Sequence, residues 1–350
     1  MHETNNEPPT GGNGDLTGPS DGPPPDEILI RVAWYYYKDG LTQAQIAERV
    51  GVSRASVGRH LDRARESGLV QIDIEPRALR SFQLSRSLCA AFGLRDAVVV
   101  PDLAMPTPPT QVATNTRLAD GAAQYLAGLL TPGTSLGIGY GDTVARTLST
   151  CRPALFDEVT LVTLTGGINA YLFTIDGLRS DGLLSTATAT RIIPTPIVVS
   201  SPELAAALRS DRSVGDLLAE AAAVDLAVTG IGNTDPEATL VQWGYQDPDE
   251  LKQLEQEGMI GDILGMFYDA EGRFHESELS SRRIGIGPEE FAAIPTKIGV
   301  AGGSAKLAAI RAALRGGLLD VLITTESVTH ALLAEVGATD ASRASVPASD

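Results

Sequence analysis

Between Asp26 and Phe92 apolar side chains recur at three- and four-residue steps, the period of an amphipathic helix; beyond Ala97 they gather into short runs instead. That change of rhythm predicts a small helical module followed by an α/β body. In the module, Ile28, Leu29, Val32, Ala33 and Tyr36 share one face of a helix that starts near Asp26 and ends at Gly40. Thr42 with Gln45 is a capping box opening a second helix, whose inward side is Ile46, Ala47 and Val50 before Gly51. Ser53 caps a third, in which Val57, Leu61 and Ala64 or Arg65 repeat until Gly68. Alternation from Leu69 to Ile74 predicts a small strand, and Ala78 to Phe92 a helix with Leu79, Phe82, Leu84, Leu88 and Ala91 on its apolar side.

Six short runs then predict strands: 97–100, 135–139, 160–164, 225–232, 297–301 and 320–324. Ala/Leu-rich helical segments separate them, the pattern of a Rossmann-like, mostly parallel sheet. Several runs end in glycine-rich turns, where open α/β sheets place their ligands. The predicted organisation is a leader at 1–25, a helix-turn-helix module at 26–76, a linker helix at 77–93, an effector domain at 94–336 and a tail at 337–350. With six prolines and five glycines in the leader, and a small polar composition in the tail, both ends are expected to be unstructured.

Composition narrows the partners. A net charge of −17 means that phosphate repels the molecule as a whole, so contact with nucleic acid needs a local basic face. Such a face exists: Arg54, Arg59, Arg63 and Arg65 against Asp62 leave a local excess of +3 on the third helix. Cys89 and Cys151 are too few for a disulfide framework and lack zinc-site spacing, and His2, His60, His275 and His330 are scattered, so neither a metal nor another cofactor is expected. No export signal or apolar membrane span is legible, which leads to the expectation of a soluble cytoplasmic protein without a membrane partner.

Two kinds of motif carry candidate chemistry. Residues 41–65 have the small Ala47, the turn Gly51 and the pinning side chains Ile46, Val52, Val57 and Leu61 that a helix-turn-helix requires. Candidate contacts to double-stranded DNA are Thr42, Gln43, Ser53, Arg54, Ala55, Ser56, Arg59, His60 and Arg63. Gly58 lies inside the reading helix and costs about 1 kcal/mol relative to Ala. The second kind is a strand, a glycine turn and a helix start. In Gly139-Tyr140-Gly141-Asp142-Thr143 the amides and the Thr143 hydroxyl either cradle an anion or simply cap a structural turn. Gly302 and Gly303 lead to Lys306, an ammonium for the same anion or a solvated helix lysine; Thr165, Gly166, Gly167 and Asn169, and then Gly232, end other strands; Asp262 is a candidate acceptor for sugar hydroxyls.

Taken in order, L-T-Q-A-Q-I-A-E-R-V-G-V-S-R-A-S-V-G-R-H-L, F-G-L-R-D-A-V-V-V-P, G-I-G-Y-G-D-T-V, L-T-G-G-I, D-L-A-V-T-G-I-G, G-D-I-L-G-M-F-Y-D and V-A-G-G-S-A-K-L-A-A-I-R resemble the SorC/DeoR family of bacterial sugar-responsive transcriptional regulators, over about residues 26–336. The resemblance implies an all-α helix-turn-helix domain joined to an effector domain of NagB/RpiA/CoA-transferase-like fold, assembled as a homodimer or homotetramer. It further implies that Gly139 to Thr143 and Lys306 grip phosphate, while Asp262, Thr165 to Gly167 and Asn169 meet the sugar. Family members often carry other residues at Tyr140 and Asp142, and a carboxylate at 142 repels a phosphate dianion unless it points away. The effector is accordingly expected to be a sugar or a phosphosugar. Catalysis is not expected; the alternative is an isomerase/deaminase-like enzyme using Asp262 and Lys306.

Overall fold

Three capped amphipathic helices build the N-terminal unit: α1 (Glu27–Tyr37), α2 (Gln43–Val50) and α3 (Arg54–Glu66). Thr42 and Ser53 cap α2 and α3 through the amides of Gln45 and Ser56, and Gly51, at φ 76°, makes the left-handed turn between them. Val32, Ile46, Val57 and Leu61 meet as the core, with Leu29, Ala33 and Ala64 beside them. The computed structural model describes residues 27–71, 76–102, 110–167, 189–235, 241, 244 and 247–344, and the chain divides after Ile74 into two units.

Two expectations for this unit are corrected. Ile28 and Tyr36 are exposed, because the stripe that α1 buries is the narrower Leu29, Val32 and Ala33. No strand forms at Leu69 to Gln71: Gly68 turns the chain back, and the Val70 amide bonds Ala64 O on α3. The rest of that predicted strand lies outside the described residues.

In the second unit, α4 (Pro76–Phe92) packs on β1 (Asp96–Val100), with Leu88 fully buried, so the helix expected as a linker is part of this unit's core. Then follow α5 (Gln111–Ala127), β2 (Ser135–Ile138), α6 (Asp142–Thr150), β3 (Thr160–Thr163) and β4 (Ala189–Arg191). After them come α7 (Pro202–Ser210), α8 (Arg212–Ala222), β5 (Leu226–Thr229), β6 (Gly232–Asn233), α9 (Pro248–Gln256), β7 (Gly261–Ile263) and β8 (Met266–Tyr268). Next are α10 (Glu278–Arg282), α11 (Pro288–Ala293), β9 (Thr296–Val300), α12 (Leu307–Arg315), β10 (Val321–Thr325) and α13 (Glu326–Ala344).

Seven strands form one parallel sheet in the order β1-β10-β9-β5-β2-β3-β4. Apolar side chains cover both faces. Leu118, Leu126, Val144 and Leu148 of α5 and α6 pack with Leu136, Val228 and Ile323 on one; Leu88, Ala205, Val214, Phe291 and Ile310 pack with Ala227 and Leu322 on the other. From β2 the chain steps outward through β3 to β4, then returns to β5 on the opposite side of β2 and steps away through β9 and β10. The reversal leaves a crevice at the carboxyl ends of β2 and β5, the position at which open α/β sheets hold ligands.

Three elements differ from expectation. The run 225–232 splits into β5 and β6, because β6 leaves the main sheet and pairs antiparallel with β7. The β7–β8 hairpin was not legible, its Gly-Asp-Ile-Leu-Gly being too short a periodic signal. Backbone α13 continues to Ala344, past the expected tail boundary at 337; Ala338, Ala341 and Ala344 are strong helix formers.

Candidate functional site

On α3, Ser53, Arg54, Ala55 and Arg59 are exposed, as is Arg63 one turn further, while Val57, Leu61 and Ala64 hold the helix from beneath. Arg65 is bound by Asp62, which leaves Arg54, Arg59 and Arg63 without an ion-pair partner among the described residues. Ser53 Oγ is committed to the Ser56 amide at 3.1 Å, and Thr42 to its reciprocal box with Gln45. His60 folds back, its Nδ1 lying 2.6 Å from Ser56 O. The surface therefore offers three guanidinium groups, with Ala55 between them and Gln43 on the preceding helix, in the arrangement that lets a recognition helix enter a major groove.

The second site grows from the crevice. Gly141, at φ 127°, turns β2 into α6 and serves as its N-cap with no side-chain bond. Tyr140, just before it, donates its hydroxyl to Asp262 Oδ2 at 2.8 Å. Asp262 comes from β7, opposite Gly232 in the small sheet, and a Cβ at 232 would stand 1.7 Å from Asp262 Oδ1; only glycine admits the carboxylate. The same Oδ2 accepts the Gly265 amide at 2.9 Å. Burial raises the Asp262 carboxyl above the usual carboxylate range, opposed by the Gly265 amide, the Tyr140 hydroxyl and the charges of Lys306 and Arg283. Oδ1 accepts no hydrogen bond from the described residues.

Around Asp262 the hairpin is strained. Leu264, buried, takes a left-handed φ of 58°, followed by Gly265 at 75°. Arg283 lies beneath, donating through Nη1 to Leu264 O at 3.1 Å and through Nη2 to Ile286 O. Burial lowers its guanidinium to about 10.

Asp142 does not cap α6. It is the first helical residue, and its Oδ2 accepts from Asn115 Nδ2 at 2.9 Å and Arg146 Nε at 2.8 Å. That bond raises the Arg146 guanidinium. The repulsion expected at the glycine turn is thus answered by a cation one turn along α6. Gln111 continues the network, donating to Asn115 Oδ1 at 2.8 Å and to Gly302 O at 3.1 Å, which ties the turn after β9 to the turn after β2.

Lys306 ends a 3-10 turn at Ser304–Lys306, ahead of α12 rather than one turn inside it, and its Nζ donates to Ile231 O at 2.8 Å. Burial lowers its pKa, while Asp262 and Asp142 oppose that fall. The structure so brings together Gly139 to Thr143, Gly232, Asp262, Gly302, Gly303 and Lys306. Thr165, Gly166 and Gly167 lie at the end of β3 with their polar groups committed: Gly166 N bonds Ile284 O, Gly167 N bonds Thr195 O, and the buried Thr165 hydroxyl bonds Gly166 O. Asn169 falls outside the described residues. Sequence reasoning missed Gln111, Asn115, Arg146 and Arg283; only Arg146, four residues after Asp142, left a readable signal.

No group of three or more His, Cys, Asp or Glu side chains that could hold a metal occurs among the described residues, and no described helix is long and apolar enough to cross a membrane.

Known proteins match both units. A sugar-binding domain family covers residues 77–334, and a winged helix-turn-helix DNA-binding family covers 36–71. The chain is 41% identical over 313 residues to the transcriptional regulator LsrR of Klebsiella pneumoniae, with 88% of this chain and 93% of that one aligned. Against LsrR of Escherichia coli SMS-3-5 the identity is 35% over 312 residues, covering 88% and 95%. Among solved structures, the full-length sorbitol operon regulator SorC from Klebsiella pneumoniae shares the fold at a TM-score of 0.64 and 24% identity, over 87% of this chain and 98% of that one. A DeoR family regulator from Listeria monocytogenes also gives 0.64, at 24% identity, over 72% and 99%. A helix-turn-helix with a bare arginine face and a parallel α/β domain with polar groups gathered at its strand reversal occur here in one chain, which belongs to the SorC/DeoR family of sugar-responsive transcriptional regulators.

Proposed function

We propose that this regulator binds a double-stranded DNA operator through α3 and is switched by a sugar or phosphosugar held at the crevice, as a homodimer or homotetramer in the cytoplasm. The observation that carries this reading is the Asp262 site, where a buried carboxylate with a free acceptor oxygen lies opposite Gly232 and near Lys306. A carboxylate there accepts hydroxyl protons, and the amides of the glycine turn with Lys306 and Arg146 receive an anionic or strongly polar end. The Lys306 ammonium gives one of its three donors to Ile231 O, which fixes its place and leaves two for such an end. Effector binding shifts the balance between DNA-competent and incompetent arrangements only as far as its affinity differs between them.

A thermal-shift screen of sugars, polyols and their phosphates tests the site, since a bound ligand raises apparent stability by mass action. A ligand found this way is expected to stabilise the wild type and to lose that effect in Lys306→Ala, which keeps its operator binding. Gel shifts with fragments upstream of the protein's own gene test the reading head: Arg54→Ala and Arg59→Ala are expected to weaken binding while preserving the ligand response. Absence of any salt-sensitive, sequence-selective complex in the wild type sinks the operator reading.

A further inference from the structure

Two chains of hydrogen bonds end on one carboxylate oxygen beside the crevice. The first starts at the turn after β9. Gln111 Nε2 donates to Gly302 O at 3.1 Å and to Asn115 Oδ1 at 2.8 Å, so the buried Asn115 turns its amide hydrogens to Asp142 Oδ2, 2.9 Å away. A Cβ at Gly303 would stand 2.6 Å from Gln111 Oε1, and glycine there lets Gln111 lie against the turn. The second chain starts on α5 itself. Thr116 gives its hydroxyl proton to Val112 O and accepts from Arg146 Nη1 at 3.3 Å, while Arg146 Nε donates to the same Asp142 Oδ2 at 2.8 Å. Each donor and acceptor role is fixed by the next partner along, and together they hold the Asp142 carboxylate towards α5.

That placement runs against the local electrostatics. Asp142 is the first residue of α6, where the helix dipole draws a carboxylate to the amides of its own first turn. Yet the amides of Gly141, Asp142 and Thr143 donate to no group among the described residues. Lys306 is near enough for its charge to act on both Asp142 and Asp262, so donors and a cation converge on the turn. The Asp142–Arg146 pair is itself part-exposed, and such pairs add little to stability; its consequence is the position and net charge of the carboxylate.

We propose that Arg146 is what lets the crevice accept a phosphoryl group: with Asn115 it holds the Asp142 carboxylate off the α6 amides and balances its charge, so that an anion from outside takes the place the protein's own anion would fill. Arg146 is then a positioning residue that acts through Asp142 and sets the preference for a phosphorylated over a neutral sugar. The inference deepens the effector reading and rests on it. Without Arg146, the carboxylate at 142 repels a dianion and competes with it for the same amides. A neutral sugar, whose hydroxyls donate as well as accept, is far less affected.

The test uses the full chain and inorganic phosphate as the probe, with chloride at equal ionic strength as the reference. Hydrogen exchange of the segment 139–150, read by mass spectrometry, reports the turn itself and is blind to phosphate gathered by the arginines of α3. In the wild type, phosphate is expected to slow exchange in this segment, and titration gives an apparent dissociation constant. Arg146→Gln is expected to weaken that constant several-fold, and Asp142→Asn to tighten it or leave it unchanged. Asp142→Asn with Arg146→Gln, which removes both charges, is expected to bring it back near the wild-type value. A merely structural Arg146 gives no such rescue, since the double variant lacks its bonds as surely as the single. No phosphate effect in this segment of the wild type, an Arg146→Gln protein that binds as the wild type does, or a double variant as weak as the single overturns the proposal, the last in favour of Arg146 as a direct ligand or a brace. Failure of the effector reading shows separately, as a sugar screen that returns no ligand sensitive to Lys306→Ala.

Discussion

A methyl group at position 232 would meet a carboxylate oxygen, and the seating of Asp262 in the crevice depends on that one close approach. Gly232→Ala must push Asp262 aside or open the β6–β7 pair, at a cost of about 1–3 kcal/mol, typical of overpacking. The expected thermal destabilisation shrinks in an Asp262→Ala background, because the clash disappears with the side chain; a full, additive loss in the double variant contradicts the contact. Asp262 also imprints a pH dependence. Its folded pKa is raised by burial above the unfolded value, so its stabilising contribution is complete below about pH 3.8 and is lost as pH rises through the folded value. Asp262→Asn removes that dependence: its thermal midpoint, compared with wild type, is expected to gain as pH rises from 4 towards neutrality. An unchanging difference across that range assigns the burial cost elsewhere.

At the scale of elements, α3 carries a glycine that its own unit does not require. A methyl group added at Gly58 would meet nothing within 4 Å, so no packing demand within the unit calls for glycine there. Gly58→Ala is expected to stabilise the helix by about 0.5–1 kcal/mol. If the glycine serves close approach to a DNA backbone, the same variant binds DNA more weakly; filter binding and thermal melting together separate the two effects. The capping box of α2, the Ser53 cap of α3 and the apolar spacing made both helices legible before any coordinates, because those signals act within one helical turn. The strand expected at 69–74 was not realised at Leu69 to Gln71, since Val70 gains more by packing against Leu29, Ala33 and Ala64 than by local alternation. Short-range pattern proposes an element, and burial against a neighbour decides it.

Among the described residues each unit has a core of its own, of helices around Ile46 and Val57 in the first and on both faces of the seven-stranded sheet in the second. Ile46→Ala, which empties the centre of the smaller core, is expected to cost about 2–5 kcal/mol there. Calorimetry of the full chain is expected to show the transition of the first unit lowered and that of the second unmoved; a joint shift of both contradicts independent units. The net charge of −17 acts at this scale too. It sets a repulsive background for DNA, so the local arginines of α3 must supply binding, and affinity is expected to fall steeply with salt.

Sequence alone determined the order of helices, strands and glycine turns, the basic face of α3 and the family, because each is written in neighbouring residues. It also named most of the groups that gather at the crevice, since strand ends with glycine are recognisable one at a time. Tertiary structure alone decided what those groups do to one another: that Asp142 is answered by Arg146 and Asn115, that Tyr140 and Gly265 hold Asp262, and that Arg283 supports the strained turn at Leu264. The partners Tyr140 and Asp262 are 122 residues apart, and Gln111 and Gly302 are 191 apart. No local period records such distances; the parallel sheet, by reversing its strand order between β2 and β5, brings them to one edge.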